Sequence, residues 1–324
     1  MNKTIVTALA VTSLVATAVS ASAASFDISE PLSTNGPLVA PWVVSGTVAP
    51  AVVDGALLLT NTDESQNGFA LYDEAISVTR GIDVTFSQAQ WGGTGADGIV
   101  FFVKKGTDTS TTPGSTGGAL GYAPNGAAVP ATNGLSGALL GIGLDAWGNF
   151  AVAGSNGTGC STEFNGQVAN AITVRGAGQG QAGYCLLAAP YNLSTNSLNP
   201  LSASYSTRDE ATRQVRVVID SASAADPRVT VYYDGGAEPI IDIALPAEFS
   251  AVSTVKIGFS AGTGGSVNNH NVWGLTSASA DTAEPEEELA STGSSETVGI
   301  AALVLGILAT IAAVALRPRR RAQQ

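Results

Sequence analysis

Short apolar runs broken by glycine-rich turns set the pattern of this chain. Ala56–Leu59 and Gly81–Phe86 alternate or run apolar between turn residues, and Ala171–Val174, Val215–Ile219 and Val229–Tyr233 repeat with a period of two. That period places successive side chains on opposite faces of a strand. Gly98–Val103 and Leu139–Leu144 are nearly continuous apolar runs, which predicts strands covered on both faces. Asp234-Gly235 is a tight-turn dipeptide from which a strand over Ile240–Ala244 returns, and Val255–Ser260 is the last strong strand. No stretch sustains a helical period. Helix formers are scarce, while Gly, Ser, Thr and Val are abundant. The pattern predicts one all-β domain over residues 24–276, built as an antiparallel sandwich.

The two ends read differently. Lys3 precedes an apolar run, Ile5–Val19, and then Ala21-Ser22-Ala23, the layout of a secretory signal peptide over residues 1–23. Residues 277–288 are Ser, Ala, Thr, Pro and acid, which predicts a disordered linker. Val298–Leu316 is apolar or small throughout and long enough to span a bilayer, with a basic tail over residues 317–324 expected to stay cytoplasmic. Just before it stands Leu289-Ala290-Ser291-Thr292-Gly293. A pentapeptide, an apolar span and a basic tail in that order resemble the sorting signal of Gram-positive surface proteins. The resemblance implies cleavage between Thr292 and Gly293 by a sortase and attachment of the body to the outside of the cell. The membrane is then touched only through the C-terminal segment before cleavage. An ordinary single-pass anchor is the competing reading.

Composition narrows the chemistry. The formal net charge of the 324-residue chain is −12, and the terminal segments hold five of the few basic residues (Lys3, Arg317, Arg319, Arg320 and Arg321). Nucleic acid needs a basic footprint that this chain lacks. Two cysteines and one histidine leave no zinc cluster. In an exported protein the pair Cys160 and Cys185 is expected to form a disulfide. It would pin the long loop that begins after Asn149.

The strand Leu139–Leu144 runs into Asp145-Ala146-Trp147-Gly148-Asn149. A carboxylate, an amide oxygen and a backbone carbonyl at this spacing are hard donors of the kind Ca²⁺ takes. The same residues are turn formers, and a plain turn is the alternative.

Four segments, taken in order, resemble the L-type lectins, the legume-lectin-like sandwiches. They are Ala96-Asp97-Gly98 with the apolar strand after it, Gly117-Gly118-Ala119-Leu120-Gly121-Tyr122, Asp145–Asn149, and Lys256–Gly264 with His270. Bacterial members carry similar segments and a counterpart of Arg175-Gly176-Ala177-Gly178. The resemblance covers about Phe26–Thr276 and implies a concanavalin-like β-sandwich (jelly roll) with three loops holding a monosaccharide. On that reading Asp97 accepts hydrogen bonds from two sugar hydroxyls, and Gly118 and Gly117 donate from the backbone. Asn149 bonds both sugar and Ca²⁺. Trp147 gives its carbonyl to Ca²⁺ and its ring to the sugar, and Asp145 is a direct metal ligand. The Ala96–Asp97 bond is expected to be cis. Residues 263–269, opening with Thr263 and Gly264, match the loop that tunes sugar choice. Gly143 stands where legume lectins have a glutamate that holds a transition metal, so Ca²⁺ alone is expected. Asn156 and Glu163 are both candidates for a further ligand, and His270 is expected to be structural.

The function implied is a calcium-dependent carbohydrate-binding lectin or adhesin displayed on a Gram-positive cell envelope, with glycans as partners. A structural or protein-binding domain on the same fold is the main rival. A glycoside hydrolase needs two carboxylates flanking the bond. No E-x-D-x-x-E stands on any predicted strand, and Glu210, Asp220 and Glu248 are scattered at strand ends. The chain is therefore expected not to be an enzyme.

Overall fold

A computed structural model describes residues 26–280 except 129, 153, 154, 156, 162–165, 203 and 224. The expected signal peptide, the sorting motif with Thr292 and Gly293, the apolar span and the basic tail lie outside the described residues, as do Asn156 and Glu163.

The fold is the antiparallel β-sandwich that the pattern predicts. Among the described residues two nine-stranded sheets face each other, and their strands pair antiparallel throughout, with one isolated parallel bridge between Thr158 and Ala182 outside them. One sheet runs in the order Ile241–Ala244, Arg228–Tyr233, Arg213–Asp220, Ile82–Trp91, Asn269–Ala278 and Ala56–Thr60, with two short strands beyond. The other centres on Ala138–Asp145, Gly98–Lys105, Thr254–Gly262, Asn67–Ser77 and Trp42–Gly46, with Ala171–Arg175 also paired to Ala138–Asp145.

The two sheets bury different sequence patterns for a physical reason. Arg213–Asp220 alternates buried and exposed positions, because its outer face meets water. Gly98–Lys105 is buried at every position but the last. Its odd residues Ile99, Phe101 and Val103 enter the core between the sheets. Its even residues Val100 and Phe102 enter a second apolar cluster with Leu120, Tyr122, Phe150 and Tyr184. Loops thus cover the outer face of this sheet, and a continuous apolar run is what a doubly covered strand requires.

Three differences from the sequence reading have local causes. Asn67–Ser77 is an 11-residue strand that the pattern hid, since it opens on Asn-Gly and carries Asp73-Glu74, both poor strand formers. The last strand runs to Ala278, where Ser277 pairs with Ile28 and Ala278 with Asp27, so the expected linker starts later than residue 277. Glu210 does not sit at a strand end. It closes a capping box with Thr207 on the short helix Arg208–Ala211.

Candidate functional site

Register brings the sequence motifs together. Gly98 opens its strand opposite Asp145 on one neighbour and opposite Gly262 on the other. Antiparallel pairing therefore places the start of one strand beside the ends of two others. The residues just outside these ends, Asp97, the turn after Asp145 and the loop after Gly262, meet at one edge of the sheet. Gly98 is required by this approach, since a Cβ there would stand 2.5 Å from the Leu144 carbonyl oxygen.

Asp97 is the hub. The Ala96–Asp97 bond is cis, as the resemblance implied. The Asp97 N–H donates to the Gly262 carbonyl at 3.1 Å, and the Trp147 N–H donates to the Asp97 carbonyl at 3.0 Å. The side chain is only 5% exposed, and its Oδ2 is buried with no hydrogen-bond partner. Burial pushes the carboxyl up to about 6. Cβ atoms built on Gly264 and Gly117 would stand 3.2 and 3.8 Å from this oxygen, so two glycines leave space beside it.

Gly118 and Asn149 form the next contact. A Cβ on Gly118 would lie 2.4 Å from the Asn149 Cβ, so the asparagine packs against bare backbone. The Asp145–Asn149 turn is organised from within by Asp145, which is fully buried. Its Oδ1 accepts from the Gly148 N–H at 2.7 Å and its Oδ2 from the Phe150 N–H at 2.8 Å. Burial raises this carboxyl to about 8 against those two bonds, with the Asp97 charge adding to the rise and Arg175 opposing it. Gly148 has φ of 100°, and a side chain there would collide with Val168. Trp147 stays 36% exposed, and its carbonyl accepts from Gln167 Nε2 at 2.8 Å.

Arg175 acquires a role that its sequence position did not reveal. It is fully buried, with its guanidinium 5.0 Å from the Phe150 ring centre. It donates twice to the Phe150 carbonyl, once from Nε at 2.7 Å, and also to the carbonyls of Val152 at 3.1 Å and Tyr184 at 2.6 Å. Burial lowers its pKa only to about 10, so it remains charged at neutral pH. Gly143, where the resemblance has glutamate, is the residue that admits the Phe150 ring, whose Cδ1 would be 2.3 Å from a Cβ there. The disulfide Cys160–Cys185 is formed, with Cys185 next to the Tyr184 carbonyl that Arg175 holds.

Thr263 opens the loop that follows Gly262. It is fully buried, and its hydroxyl donates to the Asp63 carbonyl at 2.8 Å while accepting from the Gln66 N–H at 2.9 Å. It anchors the loop whose next residue, Gly264, reaches the site. His270 is structural as expected. It is fully buried, with Nδ1 2.6 Å from Thr60 Oγ1, and burial pushes its pKa down to about 3.

Calcium can be tested against these donors. Among the described residues no group of three His, Cys, Asp or Glu side chains converges as a metal site. The Asp145 carboxylate, the Trp147 carbonyl and the Asn149 side-chain oxygen are nevertheless hard donors within one turn, the type calcium takes. A carboxylate or carbonyl oxygen that accepts one hydrogen bond keeps a second lone pair. The donor chemistry therefore fits Ca²⁺.

No protein-family model matches the chain, and no curated protein matches it. Several solved structures are similar in fold. A lectin from Bauhinia forficata in complex with GalNAc is 17% identical, with 79% of this chain and 99% of that one covered at a TM-score of 0.48. Peanut lectin with a nine-residue peptide is 18% identical, covering 79% and 98% at a TM-score of 0.47. The Ca²⁺- and mannose-bound exoplasmic/lumenal domain of VIP36 is 18% identical, covering 73% and 82% at a TM-score of 0.43.

Proposed function

We propose that the loops around Asp97 bind a saccharide and that the protein is a lectin. One observation carries this reading: Asp97 Oδ2 is buried without a partner, beside the side-chain-free backbone of Gly117 and Gly264. Leaving a buried polar oxygen unbonded costs free energy, which a ligand donor would offset. Sugar hydroxyls are suitable donors, and their bonds to an ionised carboxylate are charge-assisted. Asn149, packed on Gly118, adds an amide that both donates and accepts. Trp147 offers an apolar ring beside these polar groups, the combination that a sugar with apolar C–H faces and hydroxyl edges requires.

Calcium would be held by Asp145, the Trp147 carbonyl and Asn149. When bound it supplies fixed positive charge that stiffens the turn. The chain's own contribution is the frame: Asp145 ties Gly148 and Phe150, Arg175 ties Phe150, Val152 and Tyr184, and the site enters binding already ordered. Less entropy is then lost on association. The protein is not an enzyme in this account. Asp145, the other carboxylate near Asp97, is fully buried and turned into its own loop, where each oxygen accepts one backbone N–H. Export, sortase cleavage at Thr292-Gly293 and display as an adhesin on a Gram-positive envelope complete the proposal, and they rest on the two terminal segments of the sequence.

The test is binding of the full-length protein to a glycan array, with calcium and with chelator. A sugar class that binds in calcium and is lost with chelator supports the whole reading. Binding that survives chelation supports the lectin and removes the calcium. Flat signal from folded protein contradicts the lectin.

A further inference from the structure

We propose that Gln90 is a positioning residue of the saccharide site, a side chain that crosses the sandwich and sets the spacing between Asp97 and the Asp145–Asn149 turn. This rests on the saccharide reading of Asp97 and extends it from the loops into the core.

Strand Ile82–Trp91 turns successive side chains to opposite faces, and its inward positions begin apolar, with Ile82, Val84 and Phe86 in the core between the sheets. The pattern turns polar at Gln88 and Gln90, which share that face and are fully buried. Gln90 Nε2 donates to the Leu144 carbonyl at 3.0 Å. Gln90 belongs to one sheet and Leu144 to the other, so this bond spans the core. Away from water such a bond is electrostatically stronger than at the surface. Gln88 is equally buried but bonds with neither its oxygen nor its nitrogen. The cross-sheet bond, not the presence of an amide, sets Gln90 apart.

The oxygen that Gln90 holds lies at the junction of two binding segments. Leu144 immediately precedes Asp145. Gly98, immediately after Asp97, approaches the same oxygen so closely that a Cβ would stand 2.5 Å from it. A shift of the Leu144 carbonyl therefore moves the turn that carries Trp147 and Asn149 relative to Asp97. The other end of the bond is braced. Gln90 lies opposite His270 in register, and His270 Nδ1 is 2.6 Å from Thr60 Oγ1. The next residue, Trp91, donates from Nε1 to Asn271 Oδ1 at 2.9 Å and accepts at its carbonyl from Asn269 Nδ2 at 3.2 Å. One amide thus joins a fixed strand end of one sheet to the edge of the other from which the loops emerge. Supporting bonds of this kind hold a site in its binding geometry.

The experiment compares the full-length parent with Gln90→Met and Gln88→Met. Methionine keeps the length of the side chain and removes the donor, so both variants should melt within a few degrees of the parent. Amide hydrogen exchange is read at the Trp147 N–H, bonded to the Asp97 carbonyl, and at the Gly148 N–H, bonded to Asp145 Oδ1. Both should exchange about tenfold faster in Gln90→Met and at the parental rate in Gln88→Met. Affinity for the preferred methyl glycoside among those of galactose, glucose, mannose and N-acetylgalactosamine should fall about tenfold in Gln90→Met and hold in Gln88→Met. Parental exchange at both amides in Gln90→Met overturns the proposal, as does parental affinity there or an equal loss in Gln88→Met. If Gln90→Met does not fold, the parent decides. Its Gln90 side-chain amide protons should open together with the Trp147 and Gly148 N–H as urea is raised, and separate opening overturns the proposal. Absence of parental binding to all four glycosides overturns the saccharide reading itself, and the exchange rates then judge the role of Gln90 on their own.

Discussion

The Trp147 N–H donates to the Asp97 carbonyl at 3.0 Å, joining two loops that lie 50 positions apart in the chain. The Asp97 N–H donates in turn to Gly262. The Asp97 backbone holds the three loops together, while its carboxylate bonds nothing at Oδ2. Frame and ligand contact are thus divided between the main chain and the side chain of one residue.

That division predicts the behaviour of Asp97→Asn. Burial holds the folded-state pKa of Asp97 near 6, above its ordinary value of 3.8, so the ionised form is disfavoured by folding. At neutral pH the amide variant should melt at or above the parent temperature. A melting temperature several degrees lower, in a thermal scan, would show that the carboxylate supports the fold.

Gly118→Ala tests the contact with Asn149. The added methyl would stand 2.4 Å from the Asn149 Cβ, so one of the two must move. Overpacking of this kind costs about 1–3 kcal/mol. The expected outcome is a modest loss of stability in denaturant titration together with at least a tenfold loss of sugar affinity, about 1.4 kcal/mol. Parental affinity would remove Asn149 from the site.

Arg175→Met removes the donor to the buried carbonyls of Phe150 and Tyr184 and to the part-buried carbonyl of Val152. Buried acceptors left unpaired cost about 1–3 kcal/mol each, reduced by relaxation of the loop. A total loss of about 3 kcal/mol is expected from urea titration. Arg175→Lys keeps the charge but not the planar fork, and should fall between parent and methionine. Equal stability of all three proteins would show that the loop does not depend on the guanidinium.

His270 gives the fold an acid limb. Its folded-state pKa is pushed down to about 3 from 6.5, so the unfolded chain binds the extra proton between these values. Stability from this residue is complete above about pH 6.5 and is lost as pH falls toward 3. The slope approaches about 1.4 kcal/mol per pH unit. Asp97 and Asp145 act with the opposite sign, since burial raises both. The readout is therefore the difference between parent and His270→Gln, which should shrink as pH falls from 6.5 to 4. A constant difference would contradict the buried neutral imidazole.

Much of this architecture is legible in the sequence because it is local. The continuous apolar run at Gly98–Val103 announces a strand covered twice, and the period-two runs announce strands covered once. Asp97, Gly118 and Asn149 could be grouped only through the resemblance of their segments to one family, while the register that sets Gly98 opposite Asp145 is visible only in the fold. Non-local features were hidden. Thr263 looks like a loop residue facing ligand, yet the turn Asp63–Gln66, some 200 positions away, claims its hydroxyl. Arg175 ends an apolar strand, and nothing local in the sequence shows that Phe150, Val152 and Tyr184 fold over it.

The most direct test of the central claim is glycan binding by parent and Asp97→Ala protein, measured side by side with calcium and with chelator. The account predicts that the parent binds a defined sugar class in calcium, that chelator abolishes the binding, and that the folded alanine variant loses at least a hundredfold in affinity. Equal binding by parent and variant would contradict the assignment of Asp97 as the ligand-binding carboxylate.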